Sequence, residues 1–216
     1  MRFGGVPGVE PAKVVILGGG VVGTHATHIA VGMGADVWLL DRNVDVLDTH
    51  WKMFKRTTNG IYSTRSALEK HVVEADLVIG AVLIPGATTP RLVTEEMIRA
   101  MRPSSVIIDV AIDQGGCFET SRVTTHSDPV YTMHDVTHYC VANMPGAVPK
   151  TSTYALNNVV LPFAIQIANL GCREALARDR NLMNGLNVYR GKVTYKEVAK
   201  CLGYDYTPPE RALQVH

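Results

Sequence analysis

Gly18, Gly20 and Gly23 stand at Gly-x-Gly-x-x-Gly spacing directly after the apolar run Val14-Val15-Ile16-Leu17. An acid, Asp41, closes the next apolar run, Val37-Trp38-Leu39-Leu40. This pattern, with a carboxylate about 20 residues beyond the glycines, suits a strand that turns sharply into a helix and holds a dinucleotide at the turn. Gly18 permits the tight turn, Gly20 lets a pyrophosphate approach the backbone, and Gly23 lets the helix lie close to the strand. Val21 and Val22 fall in the opening turn of that helix, where backbone N–H groups without helical partners offer an anion their hydrogen bonds. Asp41 would accept hydrogen bonds from the adenosine ribose hydroxyls and repel a 2′-phosphate, which favours NAD over NADP. Arg42, beside it, is the residue type that could hold that phosphate.

Further candidates follow later strands, where ligands of doubly wound folds gather. In Gly80-Ala81-Val82-Leu83-Ile84-Pro85-Gly86, small residues and a proline would let a nicotinamide ribose pass over the sheet edge. The plainer reading of that stretch is a buried strand and an ordinary turn. In Asp109-Val110-Ala111-Ile112-Asp113-Gln114-Gly115-Gly116, the Asp113 carboxylate follows an apolar strand and precedes two glycines. It either projects into the cleft, to stabilise a cationic imine, orient a water or relay a proton, or caps the next turn. Asp109, inside the strand, is ambiguous. His134, Asp135 and His138 have a spacing that would converge two imidazoles only on a helix, whereas Tyr131 and Tyr139-Cys140-Val141 around them suggest strands and a turn. No metal site is expected. Neither serine nor cysteine lies in a nucleophile elbow or near a base.

These residues need a layered α/β scaffold. Apolar runs at Val14–Leu17, Val37–Leu40, Leu77–Ala81, Val106–Asp109, Val130–Met133 and Tyr139–Ala142 alternate with helical stretches near 23–33, 44–54, 66–73 and 94–101. Runs this apolar suit parallel strands covered by helices on both faces, a doubly wound (Rossmann) sheet of about six strands. Thr94, with Glu95 and Glu96, supplies a capping oxygen and acids for the fourth helix, and Pro103 ends it. After Met144-Pro145-Gly146-Ala147-Val148-Pro149 the sequence reads as helical with no strand pattern, including a long apolar-striped helix bent at Pro162 and smaller helices near 181–187 and 196–202. The expected division is a nucleotide-binding domain over 1–147 and a helical segment over 148–216.

Lys plus Arg number 21 against 20 Asp plus Glu, and the formal charge of +1 gives no reason to expect nucleic acid or an anionic membrane as partner. Four cysteines, Cys117, Cys140, Cys172 and Cys201, share no C-x-x-C spacing and read as reduced thiols of a cytoplasmic protein. The apolar run from Val159 to Ala168 is too short and too interrupted to span a bilayer.

Four long stretches closely resemble bacterial alanine dehydrogenases, and the resemblance covers essentially the whole chain. They are Gly5-Val6-Pro7-Gly8-Val9-Glu10-Pro11-Ala12, Ala75 to Gly86, Asp109 to Glu119, and Tyr139 to Tyr154. The related transhydrogenase α subunit matches them less well. The resemblance implies NAD-dependent, reversible oxidative deamination of L-alanine to pyruvate and ammonium. By motif position it implies that Asp41 binds the adenosine ribose, Ser63 the adenine side, and Val82 and Leu83 the middle of the cofactor. Val110, Ile112 and Asp113 would meet the nicotinamide region, with Arg122, Val141, Asn143 and Met144 completing the shell. Asp113 matches the family's catalytic aspartate, which favours the functional reading of that carboxylate.

Family members carry an N-terminal half that supplies the pyruvate-binding Arg and Lys and the catalytic His, and no position here inherits those roles. The expectation is therefore a cofactor-domain fragment that binds NAD without turning over alone, with alanine or pyruvate bound through the missing half. The alternative is an NAD-binding module or subunit, transhydrogenase-like, that acts with a separately encoded substrate domain. The tail after Lys150 would complete that missing domain, and its unpartnered apolar stripe predicts a homo-oligomer, as in the hexameric family, or a partner chain.

Overall fold

A computed structural model describes residues 3–83 and 88–214. Ile84, Pro85 and Gly86, expected to border the nicotinamide ribose, lie outside the described residues. By its internal contacts the chain divides into two compact units, one running to Met144 and one from Pro145 onward.

The first unit is built on β1 (Lys13–Leu17), which carries four consecutive fully buried apolar residues. Val14 and Ile16 face one core cluster, with Val37, Leu39 and Ala30. Val15 and Leu17 face the other, with Leu68, Val72, Met97, Ile98 and Phe118. A strand buried on both sides requires a cover on each face. On one side α1 (Val21–Gly32) follows β1; on the other lie α3 (Arg65–Val73) and α4 (Glu95–Arg99). β2 (Asp36–Asp41) pairs with β1 in parallel, and α2 (Val44–Phe54) leads from it to β3 (Thr58–Tyr62). With β4 (Leu77–Gly80), β5 (Val106–Asp109), β6 (Val130–Met133) and β7 (Val136–Tyr139), the sheet order is β3-β2-β1-β4-β5-β7-β6. All neighbours are parallel except β6 with β7. The chain therefore leaves β1 toward β2 and returns on its other side at β4, so a topological switch point lies beside β1. Asn43, Thr64 and Thr94 cap α2, α3 and α4 with their side-chain oxygens, the last as its sequence suggests.

Two strand expectations change in this sheet. β3 is an additional strand, a seventh, because its residues gain their order from pairing with β2. The final parallel strand is Val136–Tyr139 and not Tyr139–Ala142, because His134 and Asp135 both adopt left-handed backbone (φ 53 and 58) and close a two-residue hairpin. That turn separates the two histidines. The His134 Nε2 lies 2.9 Å from Glu95 Oε1, while His138 is fully buried.

The second unit contains α5 (Pro149–Leu170), which runs unbroken through Pro162 and has no buried residue. It continues with α6 (Cys172–Arg178), α7 (Arg180–Asn184), α8 (Lys196–Leu202) and α9 (Pro209–Leu213), of which α6, α7 and α9 supply a small cluster of Leu176, Met183 and Leu213. The all-helical expectation is corrected by a short hairpin, β8 (Val188–Tyr189) with β9 (Lys192–Val193), turned by Arg190 and Gly191 at positive φ. Pro209 opens α9, since proline suits a first helical turn.

His138 gives the fold a defined pH response. Its Nδ1–H donates to the Val136 carbonyl at 3.0 Å and its Nε2 accepts from the Thr120 hydroxyl at 2.8 Å, the pattern of a neutral imidazole. Burial holds its pKa below the ordinary histidine value. The unfolded chain then binds the extra proton first, so stability is complete at neutral pH and falls as pH drops below about 6.5, by up to about 1.4 kcal/mol per pH unit for this group. Urea midpoints measured from pH 7.5 to 5 should decline, and the decline should be shallower in His138→Gln; equal slopes would place the titration elsewhere.

Candidate nucleotide site

Six strands run parallel, so their carboxyl ends share one edge of the sheet. Gly18 to Gly20 follow β1, Asp41 ends β2, and Ser63 follows β3. Val82 and Leu83 follow β4, Val110 to Asp113 follow β5, and Val141 to Met144 lie just beyond β7. The structure thus brings every singled-out residue except Arg122 to strand ends on that edge. Arg122 lies in the connection from β5 to β6, its guanidinium 4.1 Å from the Tyr131 ring, near the β6 residue Val130 that pairs with Tyr139.

The glycine turn is closed by backbone contact. A Cβ on Gly23 would stand 1.8 Å from the Gly18 carbonyl oxygen, so only glycine lets α1 begin this near the strand. Gly18 has φ +95, and a Cβ there would also press on Ala81 and Val82 at 3.0–3.1 Å. Gly20 differs from both: a Cβ on it would meet nothing within 4 Å, and no side chain caps α1 there. Val21 and Val22 follow with 78% and 44% exposure, so the first turn, at the positive end of a three-turn helix, lies at the surface.

Asp41 is half-buried and already in use. Its Oδ2 accepts the Gly19 N–H at 2.7 Å and its Oδ1 accepts the Asn43 N–H at 2.8 Å. Each oxygen keeps a lone pair for a further donor. The Asp41 carbonyl accepts the N–H of buried Ser63 at 2.9 Å, fixing that residue against the end of β2. Arg42 is exposed and makes no ion pair among the described residues.

Toward β5, the Val110 N–H donates to the Gly80 carbonyl at 3.0 Å, joining the exits of β4 and β5. Asp113 lies in a single 3-10 turn, Ile112–Gln114, with Ile112 buried beneath it. Its carboxylate is exposed and accepts no hydrogen bond among the described residues, so it caps nothing. Asp109, which the sequence left ambiguous, is fully buried. Its Oδ2 accepts from the Cys117 N–H at 2.9 Å and the Ser121 hydroxyl at 2.6 Å, tying the far end of the Asp113 loop to the end of β5. Burial raises its pKa, against the opposing pull of Ser121 and nearby backbone amides. An acid at the last position of an apolar strand was the sequence signal for it; its partners were not legible. Val141 is buried and bridged to Thr124, whereas Asn143, at φ 57, is exposed and its carbonyl lies 3.0 Å from His126 Nε2.

The family described as alanine dehydrogenase/PNT, C-terminal domain, matches residues 1–196. This chain belongs to that family. It is 56% identical over 211 residues to the alanine dehydrogenase of Bacillus subtilis, covering 97% of this chain and 56% of the relative. It is 52% identical over 202 residues to that of Halomonas elongata, covering 94% and 54%. A solved L-alanine dehydrogenase structure superposes with a TM-score of 0.85 at 49% identity, over 94% of this chain and 56% of the other. The transhydrogenase of Sinorhizobium meliloti gives 0.68 at 25% identity, over 87% and 51%. The chain spans about half the length of the curated relatives it matches. For this member of the alanine dehydrogenase/PNT family, the doubly wound fold expected from the apolar runs is shown both by its sheet and by these superpositions.

Asp41 carries the sharpest prediction of the site. Asp41→Ala frees the Gly19 and Asn43 amides and removes the charge that opposes a 2′-phosphate. NADH affinity, followed by fluorescence, should fall at least about tenfold, the scale of losing charge-assisted hydrogen bonds, while NADPH affinity changes little. Equal NADH affinity in variant and wild type would remove Asp41 from the site.

Proposed function

We propose that this chain is the nucleotide-binding part of an NAD-dependent alanine dehydrogenase, which interconverts L-alanine with pyruvate and ammonium. The observation that carries the reading is the glycine turn: Gly18 and Gly23 exclude a Cβ by contact with protein, whereas a Cβ on Gly20 would meet only open space. A protein turn has no need of that third glycine, and a bound pyrophosphate does. The residues at hand fit NAD. The amides of Gly20, Val21, Val22 and Gly23 would hold the pyrophosphate, the spare lone pairs of Asp41 the ribose hydroxyls, and Ser63 would border the adenine. Val82 and Leu83 would flank the middle of the cofactor. Val110, Ile112, Arg122, Val141, Asn143 and Met144 would surround the nicotinamide end. When bound, the nicotinamide ring supplies the acceptor or donor of hydride.

Asp113 has the exposure and free carboxylate that a proton carrier or a partner for a cationic imine requires. Its seat is firm: Ile112 is buried under the turn, Asp109 closes the loop behind it, and the Val110 amide binds across to β4. Substrate selection falls to the half of the relatives' length that this chain does not match. The apolar residues exposed on α5, Tyr154, Leu156, Val159 and Val160 among them, support an assembly with further protein, a homo-oligomer by analogy with the family. The higher identity and TM-score with alanine dehydrogenases favour this reading over a transhydrogenase-like module.

Titration of the chain with NADH, together with an alanine oxidation assay, tests the proposal. Saturable NADH fluorescence enhancement without alanine-dependent NAD reduction is expected; absence of NADH binding would overturn it, and robust turnover by this chain would overturn the division of labour. In a chain carrying a full-length relative's N-terminal half, Asp113→Asn should lower kcat by about two orders of magnitude or more with little change in NADH affinity. Unchanged turnover would take Asp113 out of the chemistry.

A further inference from the structure

His50 is a buried histidine on α2 that the nucleotide reading leaves unused. It is 3% exposed, and its ring packs 5.5 Å from that of Phe54. Its Nε2 lies 3.0 Å from the Gly19 carbonyl oxygen and 2.9 Å from the Thr24 hydroxyl. A carbonyl only accepts, so the ring proton is on Nε2 and His50 donates to Gly19. The Thr24 hydroxyl, 3.3 Å from the same carbonyl, donates to it as well. α2 also presses on Gly19 from below: a Cβ there would meet Val46 Cγ1 at 2.5 Å and His50 Nε2 at 3.3 Å.

The consequence follows from peptide geometry. In a planar trans peptide the C=O and the following N–H point in opposite directions. The Gly19 carbonyl is drawn toward His50, so the N–H of the same peptide, which belongs to Gly20, points away from α2. Gly20 is the residue beyond whose Cα lies only open space. The preceding peptide is fixed in the same manner. Asp41 Oδ2 holds the Gly19 N–H, and the Gly18 carbonyl, on the opposite side, faces Gly23. Three successive glycines would otherwise be the most mobile backbone in the unit, and ordering them on binding would weaken a ligand's hold.

We propose that His50 is a positioning residue for the nucleotide site: by donating from Nε2 to the Gly19 carbonyl it fixes the Gly19–Gly20 peptide and aims the Gly20 N–H at the bound pyrophosphate. The inference rests on the nucleotide-binding reading for its functional consequence, while the clamp itself exists in the free chain. His50 and Asp41 then act as a pair, one on each of two consecutive peptides, from α2 and from the end of β2.

The test compares wild type, His50→Leu and His50→Gln, the last able to place an amide N–H near the Nε2 position. Backbone 15N order parameters of Gly19 and Gly20 in the free chain should fall in His50→Leu and recover in His50→Gln. The Kd for NADH should rise at least about tenfold in His50→Leu and stay within about threefold of wild type in His50→Gln. Thermal melts identify a variant that does not fold; should Leu fail, His50→Asn, too short to reach Gly19, takes its place with the same expectation. Leu or Asn variants that match wild type in both readouts would overturn the proposal, as would equal losses in the Gln variant. If wild type itself does not bind NADH, the nucleotide reading fails, and the order parameters still decide whether His50 holds the turn.

Discussion

The distance between Gly23 and the Gly18 carbonyl constrains the first unit more than any other contact. With no room for a single carbon atom between them, α1 must start at the tip of β1 and run back across the sheet face that Val14 and Ile16 present. That placement brings the free amides of the α1 first turn to the carboxyl edge of the sheet. It also leaves Gly18 in left-handed backbone against Ala81 and Val82, so the exits of β1 and β4 are locked together at the switch point. The edge that holds the candidate residues is a consequence of the same contact.

Around this point the polar groups serve the backbone before any ligand arrives. Asp41 spends one lone pair of each oxygen on the amides of Gly19 and Asn43, and Asp109 uses Oδ2 on Cys117 and Ser121. Both acids stand at the ends of buried strands, where two loops of otherwise weak local preference need an anchor. Each therefore shapes a loop with an exposed member: Gly20 in one, whose Cα faces open space, and Asp113 in the other, whose carboxylate has no hydrogen-bond partner among the described residues. A preformed site of this kind loses less conformational freedom on binding than one that must fold around its ligand.

The sequence made these features legible unequally, and the reasons are physical. β1, β2, β4 and β5 are sandwiched by helices, so their apolarity is nearly continuous and visible in one dimension. β3 reads Thr-Asn-Gly-Ile-Tyr, an edge strand whose order comes from hydrogen bonds to β2, which leave no mark in composition. β6 stands at Val130–Met133 as expected, whereas β7 begins three residues earlier than its apolar run suggested, because the turn between them uses His134 and Asp135 at positive φ, where glycine or asparagine would have announced it. Two-residue strands such as β8 and β9 have no periodicity to detect. Among site residues, the glycines and Asp41 were legible because their spacing expresses a geometric requirement. His50 was not, because its partner is a main-chain carbonyl 31 residues away and any side chain is compatible with that carbonyl in sequence.

The two units differ in what they can do without further protein. The first has two extensive apolar clusters, and every candidate nucleotide residue, through Met144, belongs to it. The second has only a small apolar cluster built on Leu176, Met183 and Leu213 and displays a helix of 22 residues with none buried. An apolar helix exposed to this extent loses most of the burial that normally stabilises one, about 25 cal/mol for each Å² left in water. The proposed nucleotide site thus rests on contacts inside the first unit alone, while order along α5 depends on what packs against it. Binding and turnover, as proposed, are therefore separable for a physical reason: the proposed nucleotide site is built from strand ends of the first unit, whereas the exposed face of α5 belongs to the second.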